Sequence, residues 1–472
     1  MPTARRPPLP DLAVAAAVVL LSIGYAVVIW RAGQAAGVRF PLGSDGPLWF
    51  DSARLAGSGE EVGLPPMYPR LLSLLSGGVP QISVGLALNA VLVGLTLLGA
   101  GATGALSAAA PRARQVAALG APLVVLVAAD PAAYAWYMHP EPLITAALVW
   151  CGAAAVAAVR WPSRKTAGLL GLACGIALGA KEHGLVVTAL APLLLLVGGR
   201  PGVGRRAAAW LVCLSPFLIS QALDGALFAK AWSSVQESLG WLSQDPNSMA
   251  VLPVEMTAEQ QQQVRDGGLL GMSARQLLAA SRAWWPAFGA AALAGVGLLA
   301  RRQVALVAAL GLPLATLAPA LVLWTEPRHY LVVAPAAAAF AVAGAGRLAG
   351  SSRPGVIGLA LGCGLALVAM APQAGARLGE TLAEIDTLQR ERGDEYEALM
   401  WLIAHLDIDD RVLLEIDPVV LGKSPFMPIP RGQPLRPETL PAAAYLVTQR
   451  DPPDGWSHQA TLGTVRIYRL ER

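Results

Sequence analysis

Long apolar stretches, separated by short polar turns, dominate the hydrophobic pattern of this chain. A helix that crosses a membrane needs about 20 mostly apolar residues, and stretches that reach or approach this length recur along the sequence. We predict eleven spans, at residues 11–30, 80–108, 115–129, 142–160, 166–180, 184–199, 207–223, 286–300, 303–324, 330–346 and 355–372. The stretches at 115–129 and 166–199 are short for spans, which predicts tilted or broken helices there.

Polar segments interrupt this pattern and are predicted to lie outside the membrane, at residues 31–79, 224–285 and 373–472. In the first, "SDGPLWFDSARLAGSGEE" places four residues on one helical face: Leu48, Trp49, Ser52 and Leu55. This periodicity predicts a short helix that lies on the membrane surface with its apolar face down. Ser44 or Asp45 is the predicted N-cap, and Asp51 is predicted to lie on the solvated face.

The last polar segment predicts a small α/β domain. The stretch "GETLAEIDTLQRERGDEYEALMWLIAHL" has helical periodicity, and "RVLLEI", "AYLVTQ" and "VRIYRL" have the pattern of strands. About a hundred residues suffice for such a domain. The predicted fold class is therefore an all-α polytopic membrane protein, residues 1–372, followed by a small C-terminal α/β domain, residues 373–472.

Composition supports a membrane protein and argues against several other classes. Of the 472 residues, 55% are hydrophobic and only 14% are charged, whereas soluble domains have about 25% charged residues. The net charge of +4 is too small to indicate a nucleic-acid partner. The four cysteines lie in apolar runs without the spacing of a zinc site, and are interpreted as small core residues: Cys151, Cys174, Cys213 and Cys363.

The distribution of basic residues predicts the orientation in a cytoplasmic (inner) membrane. If the N-terminus is cytoplasmic, the inner connections carry fourteen Lys or Arg residues against one acid, Asp11. An odd number of spans then places the C-terminal domain outside. Arg5 and Arg6 before an apolar run are also typical of a signal peptide. This run, however, is longer than the apolar core of a signal peptide, which has roughly 7–15 residues. An uncleaved first span is the prediction.

Charged residues at the ends of apolar runs are the candidates for chemistry, because a charge at the centre of a span costs roughly 2.5–3.5 kcal/mol on insertion scales. Glu141 begins a predicted span, where the helix dipole alone would favour a carboxylate. Lys181 and Glu182 interrupt an apolar run. They either neutralise each other at a turn or contact a substrate. Arg328 and His329 open another span, where interfacial snorkelling is the simplest explanation.

The order of these features resembles the GT-C membrane glycosyltransferases, which include protein O-mannosyltransferases and the lipid A aminoarabinose transferase and use polyprenyl-phosphate sugars. The first span, the outward loop with an acid, the surface helix and "PPMYPR" match the start of that pattern. The segments "HPEPLITAAL", "GLACGIALGAKEHGLVV", "EPRHYLVVAPAAAAF" and "LGTVRIYRLER" resemble later segments of the family in the same order. Asp45 is followed by Gly46, where the mannosyltransferases carry a second acid.

This resemblance implies transfer of a sugar from a polyprenyl-phosphate donor to a lipid, glycan or protein acceptor, by an inverting displacement at the outer face. Asp45 would be the catalytic base; its alternative role is helix capping alone. Arg328, with His329 and Lys181, would hold the leaving phosphate. Glu141 would lie across the cavity and either position the acceptor or bind a metal, with His139 beside it.

Other parts of the pattern leave alternatives open. Tyr68 and Arg70 either line the donor cavity or belong to an aromatic belt at the interface. The sequence contains no nucleotide-binding loop, no cofactor is certain, and a divalent metal ion is left open. A lipid-linked sugar transporter (flippase) and a non-catalytic scaffold are the rival functions, although the inverted symmetry expected of a transporter is not evident in the sequence.

Overall fold

The computed structural model describes residues 12–42, 46–59, 66–181, 183–197, 202–224, 285–317, 331–405, 411–414, 444–449, 451–452 and 455–470. The helices in these residues are α1 (Leu12–Ala35), α2 (Gly46–Ser58), α3 (Met67–Leu75), α4 (Ile82–Ser107), α5 (Pro111–Ala128), α6 (Glu141–Arg160), α7 (Arg164–Ala180), α8 (Gly184–Val197), α9 (Val203–Asp224), α10 (Trp285–Ala300), α11 (Val304–Gly311), α12 (Ala334–Ala349) and α13 (Arg353–His405). A 3-10 turn covers Pro313–Leu317. The strands are β1 (Arg411–Leu414), β2 (Ala444–Thr448), β3 (Trp456–Leu462) and β4 (Val465–Leu470).

Most of the helices form a bundle whose outer surface is apolar. Among the described residues, α1, α4, α6 and α13 are long and apolar enough to cross a membrane, and three of the shorter helices are also strongly apolar. Large aliphatic side chains point outward from several of them, including Leu20, Val28, Leu293 and Val368. A soluble protein would bury such side chains, so this exterior suits lipid. The chain is a multi-pass membrane protein.

Helix α6 lies at the centre of the bundle and α1 lies at its edge. The most apolar window of α6 is 83% buried, whereas the corresponding window of α1 is 17% buried. Helix α6 packs against α4 on one side and α7 on the other, and α4 packs in turn against α1 and α5. A residue at either end of α6 is therefore surrounded by several elements at once.

The observed helices follow the predicted spans closely, with two differences. The predicted break within 166–199 is confirmed, because α7 ends at Ala180 and α8 begins at Gly184. The predicted span 303–324 is not one helix: α11 ends at Gly311 and a 3-10 turn follows at Pro313, whose ring is incompatible with a continuing α-helix. Residues beyond 317 in that span lie outside the described part, and the number of spans stays a prediction.

The second difference concerns α13. We expected a span ending at residue 372 and a separate tail helix, but a single helix of 53 residues passes through Pro372 without interruption. At about 1.5 Å per residue it is about 80 Å long, against roughly 30 Å for the hydrocarbon core of a membrane. The proposed domain boundary at 373 falls within this helix, and the division into domains stays a prediction.

The C-terminal sheet has the order β1-β2-β4-β3, with β1 and β2 parallel and the other pairs antiparallel. The three predicted strands are confirmed. Strand β3 was not predicted, because "WSHQATL" is a largely exposed edge strand without regular alternation of apolar residues. The sheet is attached to α13, where Asp394 Oδ2 accepts hydrogen bonds from the backbone N–H and the hydroxyl of Thr464 at 2.7 and 2.8 Å.

Candidate active site

The predicted surface helix exists as α2, but its surroundings differ from the prediction. Asp51 is fully buried, and its Oδ1 lies 3.0 Å from Nε of Arg54. The expectation that Asp51 lies on a solvated face is therefore wrong. Helix α2 packs against α3 and also buries Trp49, Phe50 and Ala53, so both of its faces are largely covered. A carboxylate without water needs a partner, which Arg54 provides.

Tyr68, in the "PPMYPR" segment, is a buried core residue of α3. Its hydroxyl donates to Asn89 Oδ1 at 3.1 Å, and Asn89 Nδ2 donates to the backbone carbonyl of Tyr137 at 2.6 Å. Trp49 meets the Tyr68 ring edge-on at 6.4 Å between centroids. Complete burial excludes the aromatic-belt alternative for Tyr68. Arg70, by contrast, is exposed and donates to the Ser220 hydroxyl at 2.9 Å.

Burial raises the pKa of the Tyr68 phenol; the hydrogen bond to Asn89 opposes this effect, and the charge of the nearby Glu141 adds to it. Tyr68 therefore stays protonated and acts as a donor. The effect of the Glu141 charge on Tyr68 also indicates that α3 lies close to the start of α6. The hydrogen-bonded chain from Tyr68 through Asn89 to Tyr137 ties α3, α4 and the loop before α6 together.

The loop before α6 presents Glu141 to two cationic or potentially cationic side chains. The turn "HPEP" begins α6 at Glu141, with Pro142 in its first turn, a position that suits proline because the missing N–H would be unpaired there. Lys181 Nζ lies 2.7 Å from Glu141 Oε1, and His139 Nδ1 lies 3.3 Å from Glu141 Oε2. All three side chains are buried, with exposures of 8% or less. We refer to His139, Glu141 and Lys181 as the polar cluster.

Lys181 reaches Glu141 because α7 stops there. The backbone of Lys181 is extended, its N–H still bonds to the Ala177 carbonyl, and its carbonyl accepts from the N–H of Gly184. Gly184 begins α8 so close to the α7 backbone that a Cβ would lie 2.2 Å from Ala177 and Leu178 atoms. Only glycine permits this reversal. The break therefore directs the lysine inward, toward the N-terminus of α6.

The polar cluster is a buried carboxylate with an ammonium on one side and an imidazole on the other. Burial penalises each isolated charge by several kcal/mol, on the order of the attraction that the pair regains. His139 packs against the rings of Tyr134 and Tyr137 at 5.9 Å each, and neither ring nitrogen has a hydrogen-bond partner in the described part of the chain. The contact of Nδ1 with Glu141 lacks the alignment of a hydrogen bond.

These residues do not fit a divalent metal. Within the described ranges, no three His, Cys, Asp or Glu side chains group as a metal would require. The ammonium of Lys181 already occupies one oxygen of Glu141, and its positive charge opposes a cation beside it. Glu141 is thus placed for holding a substrate group or a lysine, and the metal-binding alternative has no support from this donor set.

Comparison with known proteins shows which solved structures have a similar fold. No family model matches the sequence, and no curated protein matches it. Two crystal structures of ArnT from Cupriavidus metallidurans are similar over 96% of this chain. The one bound to undecaprenyl phosphate has 15% identity, a TM-score of 0.54 and 97% of its own chain covered; the apo structure has 14%, 0.54 and 98%.

The chain has the ArnT fold. The resemblance to GT-C membrane glycosyltransferases that the sequence motifs indicated is confirmed at the level of the fold. At this identity the ArnT likeness establishes architecture, and the reaction is a matter for proposal.

Within this ArnT-like fold, the structure unites some of the predicted site residues. Glu141, Lys181 and Tyr68 lie in one buried region, together with His139. Lys181 pairs with Glu141, a partner 40 positions away that local sequence did not indicate. Four other predicted residues lie outside the described part of the chain: Asp45, Glu182, Arg328 and His329.

Sequence reasoning missed Asn89, which connects Tyr68 to Tyr137. Its signal was present: it is an uncharged but strongly polar side chain in the apolar run of α4, and buried polar groups in a membrane helix are normally hydrogen-bonded. Asn89 is fully buried and uses both its amide oxygen and its amide nitrogen.

Proposed function

We propose that this protein is a GT-C-type glycosyltransferase that moves a sugar from a polyprenyl-phosphate-linked donor to an acceptor at the outer face of the cytoplasmic membrane. The observation that carries the proposal is the buried ion pair of Glu141 and Lys181 at helix ends inside an ArnT-like bundle. ArnT itself has been crystallised with undecaprenyl phosphate. An anionic lipid head group at this depth calls for a buried cation, which Lys181 supplies.

The proposed reaction is a single inverting displacement. The acceptor oxygen or nitrogen attacks the anomeric carbon, and the bond between that carbon and the phosphate oxygen breaks, with its electron pair passing to the phosphate. The proton of the acceptor passes to the carboxylate of Asp45, acting as general base. The leaving phosphate gains negative charge, so fixed cations stabilise the transition state. Arg328, His329 and Lys181 have this role in the proposal.

Glu141 and Lys181 would work as a pair. Lys181 has three N–H donors and uses one of them on Glu141 in the described structure. The remaining donors are available for a phosphate oxygen, so substrate binding need not break the pair. Glu141 keeps the ammonium fixed before the substrate arrives, and such preorganisation makes electrostatic stabilisation effective.

Single-turnover sugar release tests this proposal. Purified protein in lipid is mixed with radiolabelled undecaprenyl-phosphate mannose, glucose, galactose or arabinose, and with a crude envelope fraction as acceptor. Wild type is compared with Asp45→Asn, and with Asp386→Asn as a control because Asp386 is an exposed carboxylate on α13. We expect transfer from one donor, loss of transfer in Asp45→Asn, and normal transfer in the control.

Other outcomes separate the alternatives. Transfer by Asp45→Asn at the wild-type rate would reject Asp45 as the base. Donor binding without transfer by wild type, accompanied by movement of the labelled lipid across a sealed bilayer, would replace the proposal with transport. Neither transfer nor movement, with any donor, would favour a scaffold.

A further inference from the structure

Helix α13 contacts the loop that leads to Asp45. The Gln389 side chain donates from Nε2 to the Ala36 carbonyl at 3.0 Å and accepts at Oε1 from the N–H of Arg39 at 3.2 Å. Seven residues further along the helix, Tyr396 stacks on Phe40 at 5.3 Å with the rings nearly parallel. One amide thus holds two backbone groups of the segment between α1 and α2, and a buried aromatic pair supports it.

The same helix contacts the loop that leads to Glu141. Arg377 donates to the Val127 carbonyl at 2.9 Å, and its Nε lies 3.8 Å from Asp130 Oδ2. These contacts hold the end of α5 and the start of the segment between α5 and α6.

The spacing of these contacts places them on two stripes of one rigid element. Gln389 and Tyr396 are seven residues apart, so they lie nearly in line along the helix, and Arg377 lies on the other stripe, twelve residues before Gln389. The two stripes are about 120° apart around the axis, because each residue turns an α-helix by about 100°. Each loop is therefore held by its own stripe.

We propose that α13 sets the distance between the two segments that carry Asp45 and Glu141, with Gln389 and Arg377 as positioning residues. The catalytic consequence rests on the proposed function, while the geometric part does not. A misplacement of about 1 Å between reacting groups can lower a rate by about a hundredfold. The helix that carries the C-terminal sheet thereby determines the geometry of the candidate site.

The test begins with a distance. Nitroxide labels are attached at Arg39→Cys, on the first segment, and at Ala133→Cys, on the second, in a full-length background whose four native cysteines are replaced. Pulsed electron paramagnetic resonance then measures the distribution of distances between the labels. We expect one narrow distribution in the parent and a broader or shifted one in Gln389→Ala and in Arg377→Ala. Asp386→Asn, on the exposed part of the same helix, should leave it unchanged.

Two conservative variants guard against simple unfolding. Gln389→Glu keeps the acceptor for Arg39 N–H and removes the donor to Ala36, so its distribution should lie between parent and Gln389→Ala. Arg377→Lys keeps a cation beside Asp130, so its distribution should lie between parent and Arg377→Ala. An unchanged distribution in both alanine variants overturns the inference, as does a change that appears equally in Asp386→Asn.

Kinetics provide the second arm once a donor is known. In Gln389→Ala we expect kcat to fall at least about tenfold while KM for the donor stays within about twofold, because the positioned carboxylates act in the transition state. A fall in kcat that only follows a fall in the thermal unfolding midpoint overturns the positioning role. If wild type transfers no sugar at all, the proposed function fails, and the distance measurement still decides the inference.

Discussion

Glu141–Lys181 and Asp386–Arg390 are the same kind of ion pair in opposite surroundings. The side chains of the first pair are 3% and 8% exposed, and those of the second are 56% and 73% exposed. The first joins α6 to the end of α7, whereas the second joins neighbouring turns of α13. An exposed pair contributes little to stability because water and salt screen it. In a buried pair, each charge lacks water and depends on its partner, so the loss of one partner leaves the other uncompensated.

The difference teaches where the chemistry of this chain is concentrated. Acidic and basic residues are abundant in the tail helix, yet most of them lie in solvent and form local contacts. In the bundle, by contrast, the polar cluster is buried and connects the end of α7 with the start of α6. A buried charge is retained against a cost, and a functional role is the simplest reason for retaining it.

The largest effect is expected from breaking the buried pair. Lys181→Met leaves the Glu141 carboxylate without its 2.7 Å partner, and the free energy of unfolding should fall by about 3–5 kcal/mol. Reversible unfolding in mixed micelles measures this change. The double variant Lys181→Met/Glu141→Gln should recover much of the loss, since it removes the uncompensated charge. A loss below about 1 kcal/mol would place Glu141–Lys181 in the same class as a surface pair.

A smaller effect is expected from the uncharged connection beside the cluster. Asn89→Leu removes the groups that satisfy the Tyr68 hydroxyl and the Tyr137 carbonyl, and should lower the free energy of unfolding by about 1–3 kcal/mol. Tyr68→Phe is the matched comparison, because it keeps the ring and removes only the hydroxyl. If both variants are as stable as wild type, the chain from Tyr68 to Tyr137 does not hold α3 and α4 together.

In the tail, the contact that crosses elements should matter more than the local pair. Asp394→Ala removes the acceptor for the N–H and the hydroxyl of Thr464 in the turn between β3 and β4, and we expect a loss of about 1 kcal/mol. Hydrogen exchange of the β3–β4 turn should rise in this variant while exchange in the bundle stays constant. Equal exchange in variant and wild type would show that the turn is held by the strands alone.

The smallest effect is expected for Asp386→Asn. Both partners of the Asp386–Arg390 pair are mostly exposed, so the change in unfolding free energy should be below about 0.5 kcal/mol. The difference between variant and wild type should be smaller at high salt than at low salt, because salt screens exposed charges. A loss that approaches that of Lys181→Met would remove the distinction between the two surroundings.

Much of the helical architecture followed from the sequence, because an apolar run in a membrane has few alternatives to a helix. The break at Lys181 was also evident, since charged residues there interrupt an apolar run. The pairing of Lys181 with Glu141 was not predictable, because it depends on how α6 and α7 pack rather than on neighbouring residues. Asp51 was misplaced for a similar reason: the periodicity of its helix indicated one covered face, whereas the fold buries residues on both faces of α2.

Local rules also misled in the tail. Pro372 suggested the end of a helix, since proline removes a hydrogen bond and clashes with the preceding turn. The helix nevertheless continues, and beyond Pro372 it contacts both the bundle and the sheet. Strand β3 escaped notice because an edge strand can be polar on most of its length. Of the predicted site residues, Tyr68, Arg70, His139, Glu141 and Lys181 fall within the described residues, while Asp45, Arg328 and His329 do not.

The unbroken course of α13 has a consequence for how this protein tolerates change over evolutionary time. Within a continuous helix, adding or losing one residue between Pro372 and Arg377 would turn everything that follows by about 100° and shift it by about 1.5 Å. Gln389 would then face away from Ala36, even if every amino acid in the helix were kept. The stretch should therefore accept many substitutions but almost no insertions or deletions. Among related proteins, we expect its length to be better conserved than its amino-acid sequence.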